Sequence, residues 1–168
     1  MDWHVAQVNI GRLRAPIDDP SIADFVGALD RINALADRSP GFVWRLQSEI
    51  GNATDIQPTE DALVIINISV WESVEALADF VYRSDHTAVL RRRREWFERY
   101  GRAYTALWWI AAGRSPTIAE ALDRLERIAA DGPTPQAFTF STRFAPPPSD
   151  DLGVDGLDIE TVDTQITG

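Results

Sequence analysis

The chain has 168 residues, 45% hydrophobic and 25% charged, the balance of one ordinary globular domain rather than of a disordered or fibrous protein. It contains no cysteine and no lysine, which removes disulfides, thiolate chemistry, cysteine-ligated metal sites and lysine Schiff bases. Its net charge of −10 argues against a phosphate-backbone binder, and no apolar run reaches the ~18 residues of a membrane span. With no signal-peptide pattern in Met1-Asp2-Trp3-His4, a cytoplasmic protein without nucleic-acid or membrane partners is expected.

Trp3 to Leu13 alternates as a strand, with His4, Ala6, Val8 and Ile10 on one face and Val5, Gln7 and Asn9 on the other. After Pro16 and Pro20, Ser21-Ile22-Ala23-Asp24 resembles a capping box, and Ile22, Phe25, Val26, Leu29, Ile32 and Leu35 follow at helical spacing. Pro40-Gly41 stops that helix; Phe42 to Glu49 reads as a second strand and Gly51 to Glu60 as a polar loop. Leu63 to Trp71, dense in Val and Ile, predicts a central strand. Helices are predicted over Ser73 to Tyr82 and Asp85 to Tyr100, then a strand over Tyr104 to Ala112. Thr117-Ile118-Ala119-Glu120 is a capping box opening a helix with the stripe Ile118, Ala121, Leu122, Leu125 and Ile128, and Ala137 to Phe144 reads as a last strand.

The opening order β-α-β-β-α-(α)-β is the ferredoxin-like α+β arrangement, an antiparallel sheet with helices on one face. Helices on one face leave the other bare, and the expected remedy is a homodimer in which two sheets face each other as a dimeric α/β barrel. The domain is placed at residues 1–145. Residues 146–168 follow a Pro-Pro-Pro run, and from Ser149 on they carry six acids and no base, which predicts a flexible acidic tail.

Trp71-Glu72-Ser73, with Phe80-Val81-Tyr82-Arg83-Ser84-Asp85-His86, resembles the dimeric α+β-barrel superfamily, which includes antibiotic-biosynthesis and haem-degrading monooxygenases. Arg91 to Phe97, Leu107-Trp108-Trp109-Ile110 with Ala112-Gly113, Pro116 to Ala121, and Gly132 to Phe138 are similar to a bacterial family within it that is known only as a domain of unknown function. The resemblance covers about residues 2 to 145. It implies a homodimer and a small-molecule enzyme without a cofactor. Haem-degrading relatives use an Asn on the first strand, a Trp in the helix after the Trp-acid-Ser turn, and a later His. Asn9 fits the first, whereas Phe80 stands at the second, Leu90 near the third, and His86 four residues early. Haem is therefore the minor alternative.

Strand parity supplies an independent argument. Gln7 and Asn9 share one face of the first strand, and Asn67, Ser69 and Trp71 one face of the third. Polar residues inside apolar strands need partners, which they find in one another, in water or in a ligand. Asn9 is the candidate oxyanion donor and His86 the candidate proton acceptor, with an ordinary pKa suited to neutral pH. Gln7, Arg45, Asn67, Ser69 and Trp71 are the candidate substrate-binding residues, with Trp108 and Trp109, which project to opposite faces of one strand. Arg91 and Arg94 sit four residues before Glu95 and Glu98, suiting surface ion pairs. Two distant histidines without nearby acids predict no metal site. The function expected is a cofactor-independent monooxygenase-like enzyme, or a cyclase or isomerase, on an aromatic or polyketide-type molecule of secondary metabolism. The alternatives are a non-catalytic binding module and a haem-binding protein.

Overall fold

The computed structural model describes residues 2–49 and 51–148. The chain runs β1 (Trp3–Arg12), a 3-10 turn (Pro20–Ile22), α1 (Ala23–Asp37), β2 (Phe42–Arg45), β3 (Val64–Trp71), α2 (Val74–Arg83), α3 (His86–Trp96), β4 (Thr105–Ala111) and α4 (Ile118–Asp131). The strands form one antiparallel sheet in the order β2-β3-β1-β4, which is the ferredoxin-like α+β fold. The predicted acidic tail lies outside the described residues, apart from Pro146, Pro147 and Pro148.

Local signals set most boundaries. Ser73 Oγ accepts the Ala76 amide at the start of α2, and Thr117 Oγ1 accepts the Glu120 amide at the start of α4. The capping box expected at Ser21 is replaced by Asp19, extended before Pro20, whose carboxylate accepts the Ser21 amide at 2.8 Å. The helix predicted to Tyr100 ends at Trp96, because Phe97 turns extended and bridges Leu13, and the Glu98 amide donates to the Arg12 carbonyl. The expected last strand reduces to one bridge, Leu107 to Phe138. Turns closed by Thr134 and Ala137 before it, and by Thr139 and Thr142 after it, bend the chain away.

The two sheet faces carry different helices. The residues of one face include Val5, Ile65, Trp71 and Leu107, which pack with Ala36, Phe25, Leu77, Val81 and Trp96 from α1, α2 and α3. On the opposite face, Ala6, Val8, Ile10, Ile66, Ile68, Val70, Ala106, Trp108 and Ile110 pack with Ala121 and Leu125 of α4. Leu46 and Ile56 of the β2–β3 connection and Tyr100 complete that layer. The face that the sequence leaves bare is therefore buried inside one chain, Ala6, Val8, Ile68 and Val70 completely. The homodimer expected from a bare face loses that reason, since the amphipathic stripe of α4 does the covering. Among the described residues no helix is long and apolar enough to cross a membrane.

Candidate functional site

Parity and register build the site on the face beneath α1–α3. Gln7 is paired with Ser69, and Asn9 with Asn67 on β3 and with Thr105 on β4. Directly opposed side chains of this kind have Cβ atoms about 5 Å apart. Asn67, Asn9 and Thr105 thus form one polar row across three strands. The row runs from an exposed Asn67 through a half-buried Asn9 to the Thr105 hydroxyl, which is buried. Among the described residues, none of these three side chains has a hydrogen-bond partner.

The adjacent row is closed instead of open. Trp71 Nε1 donates to Ser69 Oγ at 3.0 Å, and Ser69 Oγ donates to Gln7 Oε1 at 3.3 Å, all within buried residues. Trp71 is fully buried, stacked on Phe80 at 5.0 Å and edge-on to Phe42 at 5.3 Å. Gln7 and Ser69 therefore satisfy each other and hold the indole. A buried hydrogen-bond chain fixes orientation as well as energy.

His86 opens α3, with its ring 4.9 Å from Phe80, so the aromatic order is Trp71, Phe80, His86. Its Nδ1 lies 3.4 Å from the Val81 carbonyl. A carbonyl only accepts, so the neutral ring carries its proton on Nδ1 and leaves the Nε2 lone pair free. Burial pushes the imidazolium below its ordinary value near 6.5, and the Val81 carbonyl offsets only part of this. The ring is neutral at pH 7, as a proton acceptor must be. His86 and Asn9 do not converge on one atom, however. Trp71 lies four residues along β3 from Asn67, about 13 Å at ~3.3 Å per residue.

Three expected contributors stand elsewhere. Arg45 is opposite Ser69, but its guanidinium pairs with Asp37 at 2.8 Å and donates to the Gly51 carbonyl, tying α1 to the β2–β3 connection. Trp108 lies on the α4 face, buried, with Nε1 on Glu120 at 3.0 Å, so it is a core residue there. Trp109 is on the same face as Trp71, yet Phe138 covers it and its Nε1 donates to the Phe144 carbonyl. Two cavities, of about 530 and 460 Å³, lie at Gly41–Glu72–Phe80–Ser84 and at Trp3–Trp109–Pro147, and neither reaches the polar row. The residues do not fit haem: His86 is packed on Phe80 and lines neither cavity, so the ring faces no space for a macrocycle. Among the described residues there is no cluster of acids and histidines that could hold a metal ion.

Two residues escape the sequence reading. Thr105 shares parity with Leu107 and Trp109, so counting back along β4 would have placed it beside Asn9. Arg93 was hidden in a run of four arginines. It alone of the four is half-buried, whereas Arg92 makes the surface pairs, with Glu95 and Asp24. The expected Arg91–Glu95 and Arg94–Glu98 pairs are absent among the described residues, and Glu98 instead meets Arg12. The phase is set by Trp96, whose burial draws the residue three positions earlier under the helix.

The family model for the domain of unknown function DUF3291 matches residues 4–152. The chain belongs to the DUF3291 family. No curated protein matches it. Among solved structures, this DUF3291 protein is similar to SnoaB, a cofactor-independent oxygenase from Streptomyces nogalater, at 18% identity and a TM-score of 0.43, over 67% of this chain and 95% of SnoaB. It is also similar to Rv0793 from Mycobacterium tuberculosis, at 16% identity and 0.45, over 68% and 99%. PA3566 from Pseudomonas aeruginosa aligns at 13% identity and 0.44, over 69% and 98%. The fold of the DUF3291 chain rests on its own strand order and register.

Proposed function

We propose that this DUF3291 protein is an enzyme that binds a small aromatic or polyketide-type molecule on the polar row and oxygenates it without a cofactor. The observation that carries this reading is the row itself, Asn67, Asn9 and Thr105, whose side chains have no hydrogen-bond partner among the described residues and share one face of the sheet. Amide N–H groups fixed on rigid strands stabilise an oxyanion at little reorganisation cost. Asn9 and Asn67 hold a ring oxygen as it ionises. A molecule of two or three fused rings extends from that pair towards Phe80 and His86, whose free Nε2 accepts a ring proton. The resulting carbanion, conjugated with the oxyanion, reacts with dioxygen. One oxygen atom becomes a ring carbonyl and the other leaves as water. The polar row and the groups beside it lie within one chain, and we place the enzyme in the cytoplasm.

The test is oxygen uptake and quinone absorbance with a hydroxyanthrone and the full chain. Quinone formation above the uncatalysed rate is expected, with loss of roughly 10²-fold in Asn67→Ala and Asn9→Ala. Binding without turnover would instead assign a carrier role, and no binding would remove the reading.

A further inference from the structure

One cation beside the polar row lacks a counter-charge. Arg93 Nη2 donates to the Ile10 carbonyl at 3.3 Å, and its guanidinium carbon lies 4.5 Å from the Tyr104 ring centroid and 5.4 Å from that of Phe97. Among the described residues no carboxylate pairs with it, and the other arginines without one, Arg14, Arg31, Arg38, Arg91, Arg94, Arg99 and Arg102, are all exposed, whereas the half-buried Arg12, Arg45 and Arg124 each have one. Gly11 explains its seat. A Cβ there would stand 3.3 Å from Arg93 Nη2 and under 3 Å from the Phe97 ring, so the missing side chain is the space these groups occupy. Gly11 follows Asn9 on the same face of β1, about 6.6 Å along the strand. The guanidinium is thus fixed over the sheet next to the row, and Tyr104 immediately precedes Thr105.

A half-buried guanidinium held by aromatic faces and one carbonyl has lost part of its hydration without gaining an anion. Its planar fork is built to take a carboxylate on two N–H groups at once. Burial also weakens its hold on the proton relative to a free arginine.

We propose that Arg93 is the anion-recognition residue of this cleft, and that the molecules admitted are hydroxy-aromatic acids. The ring hydroxyl lies on Asn9 and Asn67, and the carboxylate, one residue pair further along β1, on Arg93. This deepens the proposed function and rests on its cleft. It fixes the end-to-end orientation of the guest, with the carboxylate towards Gly11 and the ring towards Trp71.

The experiment is calorimetric titration of the full chain with 3-hydroxy-2-naphthoate, whose hydroxyl and carboxylate share one edge of the rings, and with its uncharged amide, at low salt. The wild-type chain is expected to bind the acid about tenfold or more tightly than the amide. Arg93→Met should bring the two within about twofold of each other, and Arg93→Lys should keep part of the preference. Equal binding of acid and amide by the wild-type chain overturns the Arg93 assignment and leaves the cleft standing, as does a preference that survives in Arg93→Met. The wild-type comparison does not depend on how well the variant folds. Binding of neither probe overturns the cleft reading and the assignment together.

Discussion

Replacing Ser69 by Ala cuts the hydrogen-bond chain that fixes the Trp71 indole. Ser69 Oγ accepts the Trp71 indole N–H at 3.0 Å and donates to Gln7, and Trp71 is fully buried, so water cannot take the vacated place. A buried donor left without an acceptor costs about 1–3 kcal/mol, more than the hydrogen bond itself contributed. For a chain of this length, at about 2–4 °C per kcal/mol, that is roughly 2–12 °C in Tm. Trp71→Phe removes the donor along with its need, at the separate cost of the lost ring volume. In the double variant the serine should therefore matter little. Urea unfolding of wild type, Ser69→Ala, Trp71→Phe and the double variant should give a coupling energy of about 1–2 kcal/mol. Additivity to within about 0.5 kcal/mol would refute the claim that the serine acts through the indole.

Gly11→Ala should destabilise by about 1–3 kcal/mol, because its Cβ would meet the Phe97 ring at 2.7 Å and Phe97 is itself set edge-on against Phe25 at 5.1 Å; thermal unfolding measures it. His86 makes stability depend on pH. Its pKa is lowered on folding, so the unfolded chain binds the proton more readily, and stability present above about 6.5 falls as pH drops through the folded value. Denaturant titrations at pH 7.5 and 5 should show that His86→Gln loses less stability than wild type over that interval. Light scattering should return the mass of one chain, near 18.7 kDa, since α4 already covers the apolar sheet face; twice that mass would show that another surface pairs.

Strand parity made the inner row of the site legible. Period-2 alternation does not depend on what packs above the sheet, so Gln7, Asn9, Asn67, Ser69 and Trp71 fall on one face as their spacing predicts. Parity also separates Trp108 from Trp109, but which of them faces α1–α3 depends on where α4 returns, and no local signal in the helix encodes that side. His86 was rightly placed at a helix start, yet its distance from Asn9 follows from the packing of α2 and α3. Arg45 looked free because its partner, Asp37, sits on the neighbouring helix end. Arg93 was readable in principle. Once Trp96 is taken as core, the arginine three residues before it must share its side of α3.

The central claim is that the Asn9 and Asn67 amides are the contact surface of the guest. Nitrogen-15 resonances of the two side-chain NH2 groups, assigned by single Asn→Asp variants and followed while 3-hydroxy-2-naphthoate is added to the full chain, read that contact directly. Both pairs of signals should shift along one saturable curve that matches the calorimetric affinity. Saturable binding that leaves both unmoved would put the guest elsewhere on the molecule and contradict the account.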